Sequence, residues 1–174
     1  ARIRKGHFND PDHRTQFYGA YAAYNGPTKW GFDLYALGVE QNGRTNPNGR
    51  MGTDHRMTLG GRFWTKDFAP WDFEAEGAWQ VGRFAGDDVS AWMAGVEGGY
   101  TFADCPAKPR VWAGYEFASG DSNPTDGKVG TFNQMFPLGH AWFGYVDVVG
   151  RQNVHNIRTG VDFEVIKNVS AGLH

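Results

Sequence analysis

The sequence predicts an all-β chain, and two observations carry this prediction. Apolar and polar residues alternate over several segments of about nine to thirteen residues, whereas no segment shows the 3.6-residue apolar spacing of an amphipathic helix. Aromatic residues make up 16% of the 174 residues, and there are 25 glycines. This composition is typical of strands joined by turns. We therefore expect an antiparallel sheet with little or no helix.

The clearest strand is residues 71–81. Trp71, Phe73 and Trp79 share one face, while Glu74 and Glu76 share the other. A helix would scatter both sets around its circumference, but a strand separates them. Six further segments alternate in the same way or more weakly, and an eighth strand begins at Val169: they are residues 15–24, 29–39, 56–64, 91–102, 110–117 and 153–165.

Charge and motifs exclude several classes of protein. Lys and Arg total 17 against 19 Asp and Glu, so the net charge of −2 gives no general attraction for nucleic acid. One cysteine allows neither an internal disulfide nor a CxxC zinc pattern. No stretch approaches the ~18 apolar residues of a membrane-spanning helix. Neither HExxH nor GxSxG occurs, so we predict no metal, no cofactor and no enzymatic activity.

The connections between the predicted strands differ in length. Residues 25–28, 67–70, 103–109 and 167–168 are short connections, whereas 41–54 and 119–152 are long. Short turns at one end and long loops at the other are typical of a transmembrane β-barrel. Aromatic residues that we expect to face outward lie near strand ends, as interfacial girdles require: Trp30, Trp64, Trp71, Trp79, Tyr100, Phe102 and Phe163.

A soluble β-barrel or β-sandwich that binds a ligand is the alternative. In that architecture the apolar face would form the core and the charged face would meet water. Strand length favours the membrane barrel, because strands of soluble sheets are commonly ~5–6 residues long. The Trp content of the apolar face favours it as well, because a small core has difficulty packing so many large rings.

One segment resembles a known family. Residues 118–137 carry ASGD, P, DGK, GTF and FP in order, followed by His140, Gly144-Tyr145, Asp147 and Asn153. Residues 59–62 (LGGR) and 73–80 (FEAEGAWQ) extend the similarity, which covers residues 30–174. Together they resemble the alginate-export family of bacterial outer-membrane β-barrels.

The resemblance implies a larger barrel of about eighteen strands. We therefore expect residues 1–174 to be one partial barrel domain, the C-terminal portion of that barrel; the alternative is a small barrel closed by strand eight against strand one. It also implies a bacterial outer-membrane channel for passage or export of a polar, anionic carbohydrate such as an alginate-like polyuronate. The expected partners are outer-membrane lipid, an anionic polysaccharide or small anionic solute, and envelope secretion components, but no nucleic acid.

If the apolar face meets lipid, the other face lines the pore. Arginine matches a carboxylate bidentately, so the implied polyuronate makes Arg56, Arg62, Arg110 and Arg158 candidates for substrate contact. Acidic residues on the same face are candidate pore-lining residues: Glu74, Glu76, Glu97, Glu116 and Asp162. The alternative is that these charges pair across strands and only satisfy a polar interior.

The long connection of residues 119–152 is a candidate gating loop. Loops longer than about 15 residues usually have a function, and in barrels they often fold inward. Lys128, His140 and Asp147 are its candidate residues. A surface loop without a special role is the alternative.

Overall fold

The structure is a single β-sheet. The computed structural model describes residues 13–27, 29–66, 68–135, 150–166 and 169–173. The strands are β1 (Thr15–Tyr24), β2 (Trp30–Thr45), β3 (Met51–Thr65), β4 (Trp71–Phe84), β5 (Asp87–Thr101), β6 (Arg110–Ala118), β7 (Lys128–Val129), β8 (Val154–Ile166) and β9 (Val169–Leu173). Within these ranges there is no helix, so the all-β prediction is confirmed. No helix there is long and apolar enough to cross a membrane.

The strands follow one another as an antiparallel meander. Their spatial order is β1-β2-β3-β4-β5-β6-β8-β9. The two-residue strand β7, which alternation does not predict, lies off this path and pairs in parallel with the start of β5. Strands β1 and β9 form the two edges, and in the described part of the chain they do not pair with each other. The sheet is therefore open, as in a barrel fragment, and the small closed barrel is not what the structure shows.

The connection predicted at residues 41–54 is mostly strand, so that prediction was wrong. Strand β2 continues to Thr45 and β3 begins at Met51, which leaves a five-residue tip. A register shift between Gln41 and Arg44 absorbs Gly43, whose φ is 67°. Polar residues here lie on a strand that continues beyond the apolar part of the sheet, and polarity alone had suggested a loop. The contrast in loop length between the two ends therefore rests on the connection from β6 to β8.

Alternation gives the sheet two different faces. The polar face carries Asp33, Arg62 and Glu76, which lie side by side on β2, β3 and β4. The apolar face carries Trp79 and Trp92, a cross-strand pair whose exposed fractions are 53% and 51%. Residues 119–135 and 150–153 pack against the polar face, where small apolar clusters form beneath Val129 and Phe132. The apolar face is thus the open one, and the polar face is partly covered.

Aromatic side chains form two belts on the apolar face. At the short-turn end, Tyr24, Phe32, Trp30, Phe63 and Phe73 follow one another with ring centroids 5.4–6.4 Å apart. Towards the other end, the Trp92 and Phe117 rings are 4.2 Å apart. Rings at both margins of an exposed apolar band match the girdles of outer-membrane barrels.

Trp64 does not belong to these belts, and its predicted outward position was wrong. It lies on the polar face, where the Arg62 guanidinium carbon is 5.2 Å from its ring centroid. The residue type suggested a girdle, but its even position on β3, two residues after Arg62, decides the face.

The open apolar face leads to a stability prediction. Val96 lies at the middle of β5 on this face, and Met51 lies on the same face at the very start of β3. We expect Val96→Arg to lower the free energy of unfolding in phospholipid vesicles by about 2–4 kcal/mol, because a charge at the bilayer midplane is poorly solvated. Met51→Arg, the matched control near the interface, should cost about 0–1 kcal/mol. Urea titrations of both variants measure this, and equal small costs would indicate a face exposed to water.

Candidate functional site

Strand alternation places the predicted charged residues together on the polar face. In the antiparallel register, Arg62 lies opposite both Asp33 and Glu76, Glu74 lies opposite Glu97, and Arg110 lies opposite Asp162. Neighbouring strands are about 4.8 Å apart, so long side chains from successive strands reach each other. The geometry therefore allows pairing across the whole face.

Arg62 makes the most complete of these pairs. Its Nε donates to Glu74 Oε1 at 2.8 Å, and its Nη2 donates to Glu74 Oε2 at 2.7 Å. This fork is the bidentate arrangement that arginine forms with carboxylates. The Arg62 side chain is 40% exposed, more than those of the other predicted arginines. It is consequently the most accessible of the four to solvent.

Arg110 connects β6 with three other strands. Its Nε donates to Asp72 Oδ2 at 2.8 Å, and the two Nη groups reach Glu97 and Asp162 at 3.2 and 3.3 Å. Asp72, Glu97 and Asp162 come from β4, β5 and β8, so one guanidinium offsets charge from three neighbours. Without it, three carboxylates would repel one another in a half-buried setting.

Arg158 and Arg151 meet at Glu116. The Nη2 groups of both arginines lie 3.3 Å from Glu116 Oε1, and Arg158 Nη2 also lies 3.4 Å from Glu97. Glu116 is 3% exposed, so its charge is compensated by these partners rather than by water. Because Arg151 precedes β8 in the long connection, this cluster ties the end of the loop to the sheet.

Arg56 lies beneath the loop and is 4% exposed. It donates to Asp54 Oδ1 at 3.2 Å, to Gln80 Oε1 at 2.8 Å and to the Thr131 carbonyl at 3.3 Å. These contacts place it in the support of the loop rather than on the accessible surface. The structure therefore separates Arg56 from the other three predicted arginines.

Gln80 is the central anchor of the loop and is fully buried. Its Nε2 donates to the Asn133 carbonyl at 2.7 Å and to Thr58 Oγ1 at 3.0 Å. Its Oε1 accepts from the Asn133 N–H at 2.8 Å and from Arg56. The amide thus bonds both backbone groups of Asn133. Buried polar groups must be paired in this way, so the loop position depends on this side chain.

The predicted gating residues have different outcomes. Lys128 belongs to β7, and its side chain is exposed beside Asp88 at the rim of the sheet, not over the polar face. The loop nevertheless folds back over that face, since Phe132 is 5% exposed against Ala78, Ala91 and Met93. His140 and Asp147 lie outside the described residues.

Glu76, one of the candidate pore-lining residues, accepts a hydrogen bond from the Tyr35 hydroxyl at 2.7 Å.

Sequence reasoning did not single out Asp72, Arg151 or the two tyrosines of β1 and β2 among the site residues. Alternation placed Asp72 on the correct face, but only the register shows that Arg110 reaches it. Arg151 lies in a loop, where no periodicity indicates direction. Tyr21 and Tyr35 lie in strands whose alternation is weak, and both point to the polar face, where their hydroxyls bond Asp33 and Glu76.

Comparison with known proteins gives one match. A family model described as alginate export matches residues 2–174. The chain belongs to the alginate-export family. No curated protein and no solved structure matches the chain. The resemblance seen in the ASGD to FP segment is thereby confirmed. Within that segment, residues 119–135 form a described part of the loop over the polar face.

The loop anchor leads to a second stability prediction. Gln80→Leu removes one of the three hydrogen-bond partners of Arg56 and the partners of both backbone groups of Asn133. Each buried group left unpaired costs about 1–3 kcal/mol. We expect the free energy of unfolding to fall by about 2–4 kcal/mol. Protease cleavage within residues 119–135 should also become faster in the folded protein.

Arg83→Gln is the control for this variant. It breaks the Arg83–Asp88 ion pair, whose side chains are 75% and 71% exposed, and should change the unfolding free energy by less than about 0.5 kcal/mol. Denaturant titration and limited proteolysis measure both variants. Wild-type stability and wild-type cleavage of Gln80→Leu would show that the loop is held by other contacts.

Proposed function

We propose that this chain forms part of the wall of a bacterial outer-membrane channel that exports an anionic, alginate-like polysaccharide by passive passage. The carrying observation is the inverted distribution of exposure, with aromatic and aliphatic side chains on the open face and charged pairs on the covered face. Family membership supplies the transport role. Water in the pore and lipid outside are the surroundings that suit these two faces.

The soluble alternative fits this arrangement poorly. A soluble sandwich or barrel would bury its apolar face against a second layer, whereas Trp79, Trp92 and Ile157 are more than half exposed and the described strands form one layer. Exposed apolar areas of this extent mark contact with a membrane or another protein. The strand ladder and the aromatic belts favour the membrane.

Passage requires no chemical step from this wall. The polar face offers an alternating array of guanidinium and carboxylate groups that water and a charged sugar chain can both solvate. The folded loop reduces the space above that face, so we propose that it narrows the pore. Envelope secretion components would deliver the polysaccharide to this channel.

Arg62 is the best candidate for contact with a uronate carboxylate. It is the most exposed of the predicted arginines, and its fork already holds a carboxylate in bidentate geometry. A passing uronate would compete with Glu74 for that fork. Arg110 and Arg158 are less exposed, and each contacts two or more carboxylates. They therefore contribute to the electrostatic potential of the polar face more than to direct contact with the uronate.

The test is single-channel conductance of the full-length protein in a planar bilayer, with and without added polyuronate. We expect an open-channel current that polyuronate blocks. A steady current that is indifferent to polyuronate would point to another solute. No current from a verified folded sample would overturn the channel.

Two substitutions at one ion pair test the role of Arg62. Arg62→Ala should weaken polyuronate block about threefold to tenfold, which corresponds to ~1 kcal/mol of a charge-assisted contact. Glu74→Gln should strengthen block by a similar factor, because it removes the competing carboxylate and leaves the guanidinium charge to the solute. The dissociation constant of polyuronate block, obtained from the current fluctuations, is measured for both variants.

The opposite signs make this pair informative. If Arg62 only satisfies the polar face, both variants should lose stability and neither should change the block. That result would give Arg62 a structural role only. The channel proposal would then depend on the conductance of the wild-type protein with and without polyuronate.

A further inference from the structure

A cleft of about 550 Å³ opens on the polar face between strands β1–β2 and the folded loop. Phe17, Tyr21 and Tyr35 supply one side, and Phe132 and Met135 of the loop supply the other. Its size is within the range of small-molecule binding sites. Arg62 and Gln134 place polar groups around this aromatic lining.

The aromatic rings of this cleft are unusual in their position. The apolar face carries most of the exposed rings, yet Tyr21 and Phe17 are 60% and 51% exposed on the face that carries the ion pairs. The rings of Tyr21 and Tyr35 are parallel within 5°, with centroids 5.9 Å apart. Lipid contact does not account for rings on this side of the sheet.

Hydrogen bonds fix the orientation of both tyrosines. The Tyr21 hydroxyl donates to Asp33 Oδ2 at 2.6 Å, and the Tyr35 hydroxyl donates to Glu76 Oε1 at 2.7 Å. Gly60 lies directly opposite Tyr35 on β3, and its missing Cβ leaves room for the Tyr35 ring to lie over the backbone. With the hydroxyl protons engaged, the ring surfaces are what these side chains offer to a ligand.

Ring surfaces suit a sugar on a wall of mixed charge. The face of an aromatic ring carries partial negative charge, and the C–H bonds on one side of a pyranose carry partial positive charge. Such stacking does not require a free cation. Each of Arg62, Arg110 and Arg158 already contacts a carboxylate, so stacking adds an attraction that these pairs do not weaken.

We propose that the cleft lined by Tyr21, Tyr35, Phe17 and Phe132 is a stacking subsite for one pyranose ring of the transported polysaccharide. This inference rests on the proposed function and adds to it a contact that is independent of charge. The sugar ring lies against Tyr21 and Phe17, and its hydroxyls face the Gln134 side chain at the border of the cleft.

The experiment measures block of the full-length channel by alginate oligosaccharides in a planar bilayer. Tyr21→Ala should weaken block about threefold to tenfold, as expected for loss of an aromatic contact of ~1 kcal/mol. Tyr21→Phe keeps the ring, and this variant should be blocked by the oligosaccharides as strongly as the wild type. Tyr18→Ala is the matched control, because Tyr18 lies three residues before Tyr21 on β1, is 55% exposed and points to the apolar face.

Salt separates stacking from charge. Raising the salt from about 0.1 M to about 1 M shortens the Debye length from ~10 to ~3 Å. The effect of Arg62→Ala should therefore shrink at high salt, whereas the effect of Tyr21→Ala should persist. A Tyr21→Ala effect that disappears at high salt would overturn the stacking subsite.

Other outcomes distinguish the two proposals. If the wild-type channel is not blocked at all, the proposed function fails. If the wild type is blocked and Arg62→Ala weakens the block but Tyr21→Ala behaves like Tyr18→Ala, only the stacking subsite fails. If Tyr21→Phe loses as much block as Tyr21→Ala, the hydroxyl bond to Asp33 and not the ring is responsible, which also overturns the subsite. Should Tyr21→Ala fail to fold, Tyr21→Leu removes the aromatic face with less loss of volume.

Discussion

Guanidinium groups on the polar face hold the remainder of the structure in place. Arg62, Arg110, Arg151 and Arg158 each contact a carboxylate on another strand or across the loop boundary. Strand alternation brings many carboxylates to one side, and without cations between them their repulsion would oppose the sheet. Pairing therefore allows a long antiparallel sheet to carry a charged face that is partly removed from water.

The loop over that face depends on the same polar network. Gln80 bonds both backbone groups of Asn133, Arg56 bonds the Thr131 carbonyl, and Arg151 reaches Glu116. Phe132 adds an apolar contact beneath it. These contacts anchor the described part of the loop to the polar face. If the loop narrows the pore, that narrowing would therefore be a fixed feature of the wall.

The two proposed contacts with a passing sugar chain differ in their physics. A guanidinium attracts a carboxylate at a distance but is screened by salt and shared with neighbouring acids. A ring face acts only at contact and is indifferent to salt. Each predicted arginine already has a carboxylate partner, so the two proposed contacts together would give a polyuronate brief, weak contacts. Such contacts would suit conduction, because a solute must also leave.

The sequence by itself determined which side of each strand is polar. A period of two leaves no freedom once a strand is recognised, so Arg62, Glu74, Glu97 and Arg110 could be assigned to one face in advance. The family was also readable, because its motif in residues 118–137 is local. The exact strand ends were not, because the polar residues after Gln41 continue the ladder through a register shift at Gly43.

Only the tertiary structure decided which charges meet and which stay accessible. Periodicity assigns a face but not a register, so it could not show that Arg110 joins Asp72, Glu97 and Asp162, or that Arg56 is covered by the loop. Nor could it place Arg151, or show that the Tyr21 and Tyr35 hydroxyls bond Asp33 and Glu76. These contacts join residues far apart in the chain, and their geometry exists only once the strands are aligned and the loop has folded over them.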